Sequence, residues 1–106
     1  MSRSDEELVR EALDHIDVLR RHLERGDLAD QTIADAVSLR LASAIEAIST
    51  TSASFRQNHF GDEWKVIWAT RNRIAHGYAY IDLTIIRDTV EQDLPGFESE
   101  LRASVQ

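Results

Sequence analysis

The chain has 106 residues, no cysteine, one proline, four glycines and a formal net charge of −7. This excludes a disulfide framework, a thiolate metal site and a cysteine nucleophile, and the length suits one domain, residues 1–106, with an adequate core. An acidic balance argues against general coating of nucleic acid, whose binders are normally basic; with no basic-plus-apolar leader and no apolar run near the ~18 residues of a membrane span, a cytoplasmic protein without membrane contact is expected.

Ser4 with Glu7 reads as a capping box that opens a first helix, with Asp5 and Glu6 at its positive end. Leu8, Ala12, Ile16, Leu19 and Leu23 form its apolar face, and Gly26 ends it. His15 and His22 share roughly one face of this helix, but no third ligand lies near them in sequence, so they read as solvated histidines. Asp30 or Thr32 caps a second helix expected to reach about Arg56, with Ile33, Val37, Leu41, Ala44 or Ile45, Ile48 and Phe55 inward. The S-T-T-S-A-S run at 49–54 is its least helix-loving part, because hydroxyls compete for local backbone bonds, and a bend or a close helix approach is expected there.

After a connection at Gln57–Gly61, Asp62 is expected to cap a third helix whose buried stripe is Trp64, Ile67, Trp68 and Ile74. Both tryptophans read as core, not as stacking platforms. Gly77 is the natural stop, and Tyr78 and Tyr80, two apart, point the same way if the exit is extended. Asp82 starts a fourth helix through Leu94, with Leu83, Ile86, Val90 and Leu94 inward. Pro95 suits the first position of a short tail helix carrying Phe97 and Leu101. The expectation is an all-α, four-helix up-and-down bundle with a short C-terminal helix.

Charge is unevenly spread. Residues 51–80 carry four cations, Arg56, Lys65, Arg71 and Arg73, against Asp62 and Glu63, while both flanking segments are acidic. A small basic focus in an acidic shell favours a local phosphate contact or a basic protein partner. Arg71 offers a planar fork for phosphate oxygens, and His76 can transfer a proton near neutral pH. Asn72 shares a face with His76 and can orient it or a substrate group. Arg73 and Lys65, the other cations of the helix, are candidate substrate-binding residues. Arg71 and His76, five apart, lie about 140° round a continuous helix, so their convergence requires the helix to finish near His76. The set suits phosphodiester chemistry. Cleavage through an RNA 2′-hydroxyl needs proton removal on one side of phosphorus and delivery on the other, and one such histidine per chain points to a symmetric dimer that pools two copies. His59 is the other candidate partner, although a surface role suits it better.

The run R-N-R-I-A-H-G-Y, Arg71 to Tyr78, followed by I-D-L and later by D-L-P at Asp93 to Pro95, resembles the HEPN superfamily and its HepT-like toxin branch. That signature is arginine, four to six residues, histidine, any residue, tyrosine, which Arg71, His76 and Tyr78 match. The resemblance implies a HEPN-like helical bundle that dimerises with the motif at the interface. It also implies a metal-independent endoribonuclease toxin, needing no cofactor, with Arg71 stabilising the phosphate, His76 in proton transfer and Asn72 orienting the site. The implied partners are RNA, a second copy, and a nucleotidyltransferase antitoxin that in some pairs transfers AMP to the motif tyrosine, here Tyr78. The rival reading is a catalytically silent dimer of the same fold that binds a nucleotide or a nucleotidyltransferase.

Overall fold

The computed structural model describes residues 3–77 and 82–106. Helix α1 spans Asp5–Arg25, and the Ser4 hydroxyl caps it by accepting the Glu7 N–H at 3.1 Å. Its buried stripe includes Leu8, Ala12, Ile16 and Leu19. Gly26 ends the helix in extended backbone that any residue can adopt. What requires glycine there is space, since a Cβ would lie 2.9 Å from Cγ1 of Ile33 on the next helix.

Helix α2, Gln31–Ser49, starts at Asp30, whose carboxylate accepts the Thr32 N–H at 2.9 Å. It stops short of the expected Arg56. The hydroxyls of Ser49, Thr50 and Thr51 turn back onto the carbonyls of Glu46, Ala47 and Ile48 at 2.6, 2.8 and 2.6 Å. Ser52 then accepts the Phe55 N–H and opens a short helix α3, Ala53–His59, where a continuation of α2 and then a loop were expected. Arg56 donates to the carbonyls of Ser49 and Thr51 and so caps the C-terminus of α2. Asp5 accepts the backbone N–H and hydroxyl of Ser52 at 2.8 and 2.7 Å. The start of α1 is thereby tied to the end of α2, and the two helices run antiparallel.

Gly61 carries the left-handed conformation, φ 55°, and its N–H bonds the Gln57 carbonyl at 3.1 Å, an αL cap that closes α3. Helix α4 is Glu63–Ala75. Asp62 stands at its N-cap position but makes no side-chain capping bond, because its backbone is already helical and not extended. The N–H groups of Glu63 and Trp64 turn instead to the carbonyls of Phe60 and Gly61 at 3.1 and 3.3 Å.

Asp82 caps α5, Leu83–Asp88, by accepting from Thr84 and Ile85. The expected fourth helix does not end before the tail helix. It passes through one π-helical turn, Thr89–Asp93, into α6, Leu94–Ser104, where Pro95 is the second residue and not the first. Proline has no N–H and its ring crowds the carbonyl four residues back. Widening the preceding turn, with the Leu94 N–H reaching Thr89, lets the helix continue through it.

One core joins α1, α2, the α5–α6 run and Phe60, with Ile16, Leu19, Leu41, Ile48, Ile86, Leu94 and Leu101 fully enclosed. The α5–α6 run lies antiparallel to α1. Arg87 pairs with Asp27 at 3.3 Å at one end, and Glu98 and Arg102 reach Arg20 and Asp17, both at 2.9 Å, further along. Helix α4 packs on α2 from outside. No residue of it is buried, so Trp64, Ile67, Trp68 and Ile74 are a half-buried seam and not the core stripe that their spacing suggests. Among the described residues there is no strand, so the bundle is all-α as expected, and no helix is long and apolar enough to cross a membrane.

Candidate functional site

Two features of α4 set the site. Its outward position leaves the polar side chains of 71–76 at a surface, and its last turn finishes at Ala75, with His76 leaving helical geometry at φ −105° and ψ 13°. The helix thus ends where convergence of Arg71 and His76 requires. The His76 and Gly77 N–H groups close the end onto the carbonyls of Asn72 and Ile74 at 3.0 and 3.3 Å.

Arg71 is held on three sides. Its Nε pairs with Oε2 of Glu46 on α2 at 2.9 Å, its Nη1 donates to Oδ1 of Asn72 at 3.2 Å, and its guanidinium carbon lies 4.8 Å from the ring centre of Trp68. A guanidinium over an indole face is attracted to the ring quadrupole. Trp68 stacks in turn on Trp64, with ring centres 6.1 Å apart, and Trp64 touches Phe60, which packs on Phe97 of α6. A ladder of rings therefore connects the core to the underside of Arg71. Arg56 stands over Trp64 at 5.7 Å, at the other end of the tryptophan pair.

Arg71 opens onto a groove of about 1400 Å³ between α1, α2 and α4, lined by Leu8, Leu39, Glu46, Ile74, Ala75 and Gly77 among others. The structure brings Arg71 and Asn72 together. His76 is exposed at the cap, and among the described residues the groove takes Ile74, Ala75 and Gly77 from this end of α4. Arg73 and Lys65 are also exposed, and among the described residues neither forms an ion pair. Tyr78 and Tyr80 lie outside the described residues.

Two other histidines have structural partners. His59 is held by Glu100 of α6, with Nδ1 to Oε1 at 2.9 Å, and packs at a tilt against Phe55 with ring centres 4.3 Å apart, so it belongs to the α3–α6 contact. His15 Nδ1 lies 3.1 Å from Nη1 of Arg40. Because a guanidinium only donates, Nδ1 is the acceptor in this contact.

Sequence reasoning missed Glu46 and the platform role of Trp68. Glu46 is the one carboxylate in residues 36–61, a signal that was available in the charge pattern. The short-range spacing of Trp68 could not separate a core ring from a half-buried ring beneath a cation. Of the four cations in the positive segment, Arg56 is engaged at the α2 terminus and Arg71 by Glu46. The net positive focus is weaker than its residue count.

Residues 9–104 match the model of the family described as Ribonuclease HepT-like. The chain belongs to the HepT-like ribonuclease family. It is also 28% identical over 61 residues to "Putative RNase TTE0752" of Caldanaerobacter subterraneus subsp. tengcongensis, a match that covers 58% of this chain and 54% of that protein. This HepT-like chain thus matches only about half the length of that curated relative. No solved structure matches it.

Proposed function

We propose that this HepT-like chain is a metal-independent endoribonuclease toxin that acts as a homodimer, with Arg71 and His76 of two copies sharing one cleft. The observation that carries the reading is Arg71, ion-paired, stacked and facing an open groove one turn from the helix end that carries His76. In this role Arg71 binds the scissile phosphate and stabilises charge that builds on its oxygens, while His76 moves a proton at the attacking or leaving oxygen. Asn72, hydrogen-bonded to Arg71, keeps the fork in register. Exposed Arg73 and Lys65 hold flanking phosphates.

A dimer is supported by the groove itself. Leu39, 63% exposed, stands with Ala42, Ile74 and Ala75 along the wall that holds Arg71, an apolar strip suited to a second copy. Two copies also supply the second histidine that the chemistry needs. In the full reading a nucleotidyltransferase antitoxin neutralises the toxin, by masking it or by transferring AMP to Tyr78. An AMP phosphate there adds negative charge and bulk near the end of α4 and competes with RNA for the cations.

Mixed dimers test the shared site. A dimer of one wild-type and one His76→Ala copy has a single histidine in the shared cleft and falls well below half of the wild-type RNA cleavage rate. A mixed dimer that forms and keeps half of the wild-type rate contradicts the shared cleft, because each copy then acts on its own. Intact-mass measurement of the protein co-expressed with its neutralising partner tests the second element. An unmodified Tyr78 in the neutralised pair eliminates AMP transfer.

A further inference from the structure

The charge of Arg71 is partly answered within its own chain. Glu46 comes from α2, twenty-five residues earlier, in a stretch otherwise free of carboxylates, and its Oε2 sits 2.9 Å from Nε of Arg71. The pair is not buried, with Glu46 half-exposed, so the core does not require it. Its geometry is specific. Nε faces Glu46, Nη1 is bonded to Asn72, and one face of the guanidinium lies on Trp68. A guanidinium has five N–H donors. Among the described residues the two partners, Glu46 and Asn72, do not use up these donors, and the planar fork retains N–H groups with which it can bind phosphate oxygens.

We propose that Glu46 is the positioning residue of the site and the regulator of its phosphate affinity. It fixes the plane of Arg71 against Trp68, and its carboxylate competes with the phosphates of an RNA strand for the charge of that arginine. The proposal rests on the ribonuclease reading above for the identity of the ligand. It adds a consequence which that reading lacks: the site is tuned to hold phosphate less tightly than a bare arginine, and a phosphate is bound best once it outweighs Glu46.

The two roles separate in two variants. Glu46→Gln keeps an oxygen acceptor for Nε and removes the charge, so an uncleavable 2′-O-methyl oligoribonucleotide binds several-fold tighter at low salt, KM falls and kcat stays near wild type. The gain shrinks at high salt, because both competitors for Arg71 are screened. Glu46→Ala removes the support as well, and kcat falls by about 10- to 100-fold through misorientation. Equal binding and turnover in wild type and both variants, with only the melting temperature altered, makes the pair merely structural and overturns the proposal.

A readout independent of activity keeps the two readings apart. In proton–nitrogen NMR spectra of the full chain, the Arg71 Nε–H is resolved and rotationally restricted in wild type and Glu46→Gln, and joins the freely rotating arginines in Glu46→Ala. If wild type cleaves no RNA, the ribonuclease reading fails while this signal still decides the positioning. An Arg71 signal that Glu46→Ala leaves unchanged overturns the positioning role.

Discussion

Replacing Arg71 by lysine separates what the arginine does for the fold from what it does for chemistry. Lysine keeps the positive charge and can still pair with Glu46, but it loses the planar stack on Trp68, the bond to Asn72 and the fork. The stacking at this partly exposed position is worth about 0.5–1 kcal/mol. The surface ion pair contributes at most about 1 kcal/mol and largely survives the change. The stability loss is therefore about 1 kcal/mol or less, a fall of roughly 4–8 °C in Tm at most for a domain of this size. Loss of one transition-state donor set is much larger in effect, about 10²–10³-fold in kcat. Thermal melts and single-turnover cleavage of a labelled RNA, run on the same preparations, give both numbers. Cleavage within a few-fold of wild type refutes the argument that the fork, and not simply its charge, acts on the phosphate.

Gly61→Ala forces a Cβ onto a left-handed residue that has open space around it, the nearest atom being the Gln57 carbonyl oxygen at 3.8 Å, so the cost is conformational. It should destabilise by about 1–2 kcal/mol in denaturant melts, and an unchanged midpoint contradicts the αL cap. Burial raises the Glu98 carboxyl, but the hydrogen bonds from Arg20 and Arg102 outweigh it and hold the group below its ordinary value. A depressed folded-state value means that its stabilisation is complete above the unfolded-state value of about 4.3 and is lost as pH falls through the folded one. Glu98→Gln should cost about 1 kcal/mol at neutral pH, discounted for the exposure of its partners, and its stability curve should converge on wild type as pH falls through that depressed value. A constant gap from pH 7 to 3 contradicts the assignment.

The fold was legible where local chemistry and packing agree. Ser4 and Asp30 cap their helices as their side chains suggest, and the stripes of α1 and α2 are buried because a period near 3.6 places them on the faces that meet. The break after Ser49 was visible only as a weakness. Hydroxyls returning to carbonyls, with Arg56 arriving from the next helix to cap them, converted a poor helix into two. Continuation through Pro95 depends on a π turn, which no local pattern announces. Phe60 was read as part of a connection, yet it is buried against Phe97, a contact between residues far apart in sequence. Of the candidate site, the helix end at His76 was legible, because Gly77 follows as a natural stop. The Glu46 contact was not, because an ion pair between α2 and α4 is set by how the helices cross.

The most direct measurement is the rate of RNA cleavage by wild type and His76→Ala in the presence of a chelator such as EDTA, with folding and oligomeric state checked on both proteins. Metal-independent cleavage by wild type, reduced about 10²–10⁴-fold in the variant, is the expected result for a general acid or base. Equal cleavage by a folded, equally assembled His76→Ala protein, or cleavage by wild type that vanishes with the metal, contradicts the account.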